Sequence, residues 1–333
     1  MKTTAKTVYA LGLILTGAFV LLCTGFYTYA LLTDYSALSG QFGKSMLTDI
    51  FLPLLYTLAV VTFAVFGIVY RTSLSGREYK SAIPSVCASG FAALTTAIWF
   101  ITFIPNLASR NGVLLQTVFG VLTAVTAIFM LAYLILSALP GAVHTGTVLC
   151  GSVAILFPLA YAFFAYFDPA FALNSPIKVF DQVAMIAFLF FLITEMRMRF
   201  GAASEALSLP LGMIAATLTG AGSISGLIYM AVEGHSLYIS IMHDFLLFGF
   251  FLYALTRLLA PLLSAAPEAP EVTAASELET QSSFTPIRPS DYSQESFDFD
   301  QKAEEKTEVP EDVADGEVPE SSADVDIDSS TEG

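Results

Sequence analysis

The stretch YISIMHDFLLFGFF, residues 238–251, sets His243 and Asp244 side by side in an otherwise apolar run. Ionisable groups in such surroundings are tolerated only where they face protein or water, which marks the pair for proton chemistry. A second run, SPIKVFDQVAMIAFLFFLITEMRMR (175–199), carries Asp181 and Gln182 near its start and Glu195 near its end. If both runs are helices entered from the same side, Asp181 lies about 6 Å deep and Asp244 about 10 Å. Asp181, Gln182, His243 and Asp244 then form one polar cluster, in which an imidazole between two carboxylates exchanges a proton near neutral pH. Ser236 and Ser240 extend this strip along the face of His243 or Asp244. The alternative is that the same groups satisfy backbone and hydroxyl partners on neighbouring helices and only fix the packing.

Asp181 and Glu195 are separated by two heptads, so they lie close to one helix face. Glu195 stands four residues before Arg199, in the favourable order for an ion pair, and Arg257 falls at a similar depth. This reads as an interfacial structural salt bridge.

The segment LGMIAATLTGAGSISGLIYM (211–230) repeats small residues every four positions, at Gly212, Ala216 and Gly220, with Gly222 and Gly226 beyond. Such a stripe lets helices approach closely. Its hydroxyls, Thr217, Thr219, Ser223 and Ser225, either bond across helices or line a cavity, and an unwound TGAGSISG would suit a substrate site. Ser225 and His243 resemble the Ser–His pair of rhomboid proteases in residue type. The usual glycine two residues before the serine is Ser223, however, and the two residues sit on consecutive spans. There is no H-E-x-x-H, no Gly-rich phosphate loop and no Cys/His metal spacing. No catalytic residue, metal ligand or cofactor is therefore assigned. His144 and His235 read as lone surface residues, and Cys23, Cys87 and Cys150 as small residues in apolar runs.

The elements that must position these groups are membrane-spanning helices. The 333 residues are 55% hydrophobic and only 13% charged, with a mean hydropathy of +0.70, which excludes an ordinary soluble domain. Apolar stretches of about 20 residues cross the hydrocarbon core. Eight occur, at 8–32, 50–70, 84–105, 113–138, 142–167, 176–198, 207–231 and 237–263. Pro53, Pro84 and Pro176 sit in first turns, Ser175 is placed as an N-cap, and Pro158 bends the fifth span by freeing the carbonyl of Ala154. The fold class is an all-α integral membrane bundle over residues 1–264. The first span outlasts a signal-peptide core and is read as retained.

With the N-terminus inside, Lys2, Lys6, Arg71, Arg77, Lys80, Arg197, Arg199 and Arg257 are cytoplasmic, and only Lys44, Arg110 and Lys178 lie outside. Both termini are then cytoplasmic, in a bacterial inner membrane. Residues 265–333 carry 20 Asp and Glu against 3 Lys and Arg and read as a disordered acidic tail. Residues 283–300, denser in aromatics, are a candidate docking motif for a cytoplasmic protein. Nothing forms the basic stripe that nucleic acid requires.

Residues 173–201 resemble a segment of uncharacterised bacterial polytopic membrane proteins, patterned N-S-P-x-K, then Gln, an apolar stretch and E-x-R. The matching residues are Asn174, Ser175, Pro176, Lys178, Gln182, Glu195 and Arg197. The resemblance implies a shared structural hairpin and no activity. The expected function is a non-enzymatic scaffold or accessory subunit. A proton-coupled small-solute transporter is the alternative, and a sensor using the loop 33–49 the third reading. No motif sets the oligomeric state.

Overall fold

The computed structural model describes residues 5–36, 40–74, 83–109, 114–139, 145–167, 175–200, 205–234 and 242–263. These residues are 93% helical. Eight helical stretches among them are long and apolar enough to cross a membrane, which agrees with the expected all-α bundle. In chain order the helices are α1 (Ala5–Thr33), α2 (Leu52–Val69), the short α3 (Arg71–Leu74), α4 (Ile83–Ser109), α5 (Leu114–Ala138), α6 (Thr145–Ala154), α7 (Leu156–Tyr166), α8 (Pro176–Arg199), α9 (Glu205–Glu233) and α10 (Met242–Leu263). The tail with 283–300, and His144, Asn174, His235, Ser236 and Ser240, lie outside the described residues.

Local sequence explains the departures from simple helices. A π-helical turn, Leu47–Phe51, precedes α2 and lengthens the second stretch at its start. The fifth stretch is interrupted at Ile155, between α6 and α7. Pro158 has no N–H for the carbonyl of Ala154, so the ladder loses a rung there. Ser175 does occupy the position before α8, but its side chain makes no cap; its hydroxyl donates to the carbonyl of Gly40 at 2.9 Å. That glycine has φ +65°, a left-handed conformation that a side chain would strain. It sits between two short antiparallel strands, β1 (Tyr35–Ser36) and β2 (Gln41–Phe42). Tyr35 packs against both Phe42 and Tyr229, so β1 lies against the end of α9.

α9 is the centre of the bundle, flanked by α1, α2, α8 and α10. Of its apolar window 72% is buried, against 33% for Leu47–Val69. Its small residues explain how so many neighbours fit. A Cβ on Gly212 would lie 2.9 Å from Leu258, one on Gly220 2.7 Å from the Phe251 ring, and one on Gly222 2.9 Å from Phe180. Ala216, between the first two, is fully buried. Gly226 is overlaid by the carboxylate of Asp244. The stripe is therefore a packing seam.

No unwound segment occurs in α9: it is helical throughout Glu205–Glu233, with Thr219, Ser223 and Ser225 bonded within and between helices and Thr217 Oγ1 buried without a hydrogen-bond partner among the described residues. Thr219 Oγ1 donates to the carbonyl of Ala215 at 2.6 Å. Ser225 Oγ donates to the carbonyl of Thr24 at 3.2 Å and accepts from Thr28 at 3.0 Å. Ser225 is thus held by α1 and is not paired with His243, so the protease-like pairing does not form.

A methyl group at Gly220 must displace the Phe251 ring, and overpacking of this kind costs about 1–3 kcal/mol. Nothing lies within 4 Å of a Cβ built on Gly17, where alanine gains helix propensity of roughly 1 kcal/mol. Thermal unfolding in detergent is expected to show G220A melting below the parent protein and G17A at or above it. Equal melting of the two variants would contradict the seam.

Candidate functional site

The polar residues of α8 and α10 meet in two clusters at opposite ends of the helices. In the first, His243 Nε2 and Asp181 Oδ2 are 3.0 Å apart, and both side chains are buried. The other ring nitrogen, Nδ1, is hydrogen-bonded to the hydroxyl of Tyr161 on α7. The tyrosine ring stacks on the imidazole at 5.4 Å and 12°. Tyr161 is itself placed by Trp99 of α4, 5.7 Å away edge-on. Asp244, one residue on, points about 100° away around α10 and lies against Gly226; its Oδ2 is buried and has no hydrogen-bond partner among the described residues.

Chemistry fixes the roles along the chain from tyrosine to aspartate. When Nε2–H donates to an ionised Asp181, the Nδ1 of a neutral ring accepts the Tyr161 proton. A second proton taken up at Nδ1 reverses that bond: Nδ1–H then donates to the tyrosine oxygen, whose own hydrogen must turn elsewhere. Three helices are thereby coupled to one proton. Gln182 is not part of this cluster. Its amide donates to the carbonyl of Ala162 at 3.3 Å, because consecutive residues point about 100° apart around a helix.

The second cluster is centred on Glu195. Its Oε1 lies 3.3 Å from Arg199 Nη2 and 3.2 Å from Arg257 Nε. The Tyr253 hydroxyl is 2.8 and 2.9 Å from the two carboxylate oxygens, and Tyr133 OH is 3.1 Å from Tyr253 OH. Arg199 also donates to Ser137 at 3.1 Å. Each guanidinium sits over an aromatic ring, Arg199 at 5.2 Å from Tyr133 and Arg257 at 5.0 Å from Tyr253, a geometry that stabilises a cation. The ion pairs expected of Glu195 with Arg199 and Arg257 are present, and Glu195 is 1% exposed among the helices.

Between the clusters the two helices are joined by rings. Phe188 stacks on Phe250 at 4.3 Å and 12°, and Phe191 meets Tyr253 at 6.2 Å. The pairs Asp181–His243, Phe188–Phe250, Phe191–Tyr253 and Glu195–Arg257 all share one offset of 62 residues. α8 and α10 therefore run parallel and in register, with rungs that follow the heptad positions of a coiled coil.

Sequence reasoning identified the four ionisable residues of the two ionic rungs and missed Tyr161, Tyr133 and Tyr253, which are ordinary aromatics in apolar runs. The heptad spacing of residues 181, 188 and 195, matched at 243, 250 and 257, was the signal available for the ladder. Lys178, assigned to an outer loop, is buried in the first turn of α8, with Nζ 5.9 Å from the centre of the Tyr166 ring. No metal-binding group of three or more ligands occurs among the described residues. Among known proteins, no family model, no curated protein and no solved structure matches the chain.

Replacing Glu195 by alanine leaves two arginines in the core without their carboxylate, a loss of about 3–5 kcal/mol. Tyr253→Phe removes one donor to that carboxylate, about 1.5–3 kcal/mol. Unfolding in mild detergent is expected to rank E195A as clearly the more damaging. Equal effects would mean that Glu195 is not the hub of the cluster.

Proposed function

We propose that the protein is a proton-coupled secondary transporter of a small solute, spanning a bacterial cytoplasmic membrane eight times with both termini inside. The observation that carries this reading is the buried Tyr161–His243–Asp181 chain beside the second carboxylate, Asp244. Two carboxylates and an imidazole enclosed in apolar surroundings balance their charge by gaining protons or a cation. A cluster that served packing alone would gain nothing from a buried carboxylate oxygen lacking a hydrogen-bond partner.

Large apolar residues on the outside of the helices, such as Ile14, Leu21, Ile68 and Ile101, support the membrane placement. The orientation rests on basic residues outside the core. Arg199 and Arg257 are committed to Glu195, and Lys178 is buried, so none of the three counts as a loop charge. Lys2, Lys6, Arg71, Arg77, Lys80 and Arg197 against Lys44 and Arg110 retain the cytoplasmic bias.

A scaffold or accessory role, with 283–300 as a docking motif, is favoured by a different observation. The Glu195 cluster and the glycine seam of α9 are tight packing.

Labelling of membranes with a hydrophobic carbodiimide, which attacks protonated carboxyl groups, separates the two readings. The transporter reading expects Asp181 and Asp244 to react at about pH 5 and to be spared at about pH 9, with His243→Gln altering the Asp181 profile. Failure of both residues to react at any pH in that range would seal them in packing and leave the scaffold reading.

A further inference from the structure

We propose that the seam between α8 and α10 is the solute path, closed at three points by the in-register rungs; this rests on the transporter reading above. Asp181–His243 closes one end, Glu195–Arg257 closes the other, and the Phe188–Phe250 stack is the plug between them.

Three features single out this seam. First, the rungs are spaced evenly. Each ionic rung lies seven residues from the stacked phenylalanines, about 10 Å along the helix. A tilt of α10 about the stack therefore widens one end as it narrows the other. Parallel, in-register helices permit this motion, because both ends of the seam are spanned by the same two elements.

Second, the seam is bridged by long side chains, while the backbones are seated elsewhere. α10 lies on α9 and α4, and α8 lies on α9 and α7. The seat of α10 on α4 is as close as its seat on α9: a Cβ on Gly249 would lie 3.1 Å from the Cα of Ala92. Gly212, Gly220, Gly222 and Gly226 of α9 lie under side chains of both helices, so α9 is the close-packed floor on which both rest.

Third, the two end rungs open by different chemistry from the middle one. A proton taken up at Nδ1 leaves the rung an ion pair; when Asp181 takes up a further proton, the Nε2–H of His243 loses its anionic acceptor, and the rung weakens without any bond to carbon changing. The groups facing that rung are Tyr161 from α7, Asp244 from α10 itself and Tyr27 from α1, while the buried Lys178 in the first turn of α8 lies over the Tyr166 ring. At the far end Arg257 exchanges Glu195 and Tyr253 for water. The phenyl stack has no proton to lose and closes by contact alone. Protonation at one end is thereby tied to opening at that end and closure at the other, as alternating access requires.

The test uses two reporter positions in the full chain, with Cys23, Cys87 and Cys150 replaced by alanine. Ala184 lies between Asp181 and Phe188, and Ala254 lies between Phe250 and Arg257; both are fully buried. A184C and A254C are each reacted with a membrane-impermeant maleimide from the nearer side of the membrane. Adding D181N is expected to raise the labelling rate of A184C on the order of tenfold and to lower that of A254C, and E195Q is expected to do the reverse. If D181N does not fold, H243Q breaks the same rung. Variants that change only the nearer reporter, or neither, overturn the proposal, since the rungs would then be local fastenings. Reciprocal labelling without solute-driven proton movement in liposomes would keep the seam and sink the transporter reading. Solute-driven proton movement with no reciprocal labelling would keep the transporter reading and sink the seam.

Discussion

Two carboxylates buried on one face of α8, two heptads apart, each require a cationic or hydrogen-bonding partner within reach, and both find it on α10. An uncompensated charge in apolar surroundings costs several kcal/mol, so this requirement fixes the depth, direction and rotation of α10 relative to α8. The remaining bundle accommodates that pairing. α9 supplies a glycine surface on which both helices rest, and α7 turns Tyr161 toward the imidazole. α5 brings Tyr133 and Ser137 to the arginines.

The two ends of the ladder solve the same problem differently. Around Glu195, both carboxylate oxygens and both guanidinium groups meet a polar or aromatic neighbour, and so dense a network favours one arrangement. Around His243 the network is shorter, and one bond depends on where a single proton sits. Asp244 adds a carboxylate whose near neighbour is the backbone of Gly226. The first arrangement suits a fastening and the second a switch. Their placement at opposite ends of one helix pair is the basis for the functional reading.

Much of this was legible before any coordinates. The run lengths gave eight helices, and Asp181, His243 and Asp244 stood out because charge is rare in such runs. Glu195 and Arg199 announced themselves by their four-residue spacing. What the chain could not reveal was which helices touch. Gln182 was grouped with Asp181 from depth alone, yet a rotation of about 100° sends it to Ala162 on α7. The seven-residue spacing of Phe188 and Phe250 became meaningful only once α8 and α10 proved to be parallel. The hydroxyls of α9 illustrate the opposite error. Thr219 and Ser225 suggested an unwound segment, but helix carbonyls can absorb threonine and serine hydroxyls, and the helix runs on unbroken.

The central claim is that His243 is clamped between Asp181 and Tyr161 inside the bundle. Nitrogen-15 NMR of ring-labelled histidine in lipid tests this directly, since the chain has only three histidines. The account predicts one imidazole whose Nε2 signal responds to Asp181→Asn and whose Nδ1 signal responds to Tyr161→Phe. Three rings with signals typical of water-exposed imidazole, unmoved by either substitution, would contradict it.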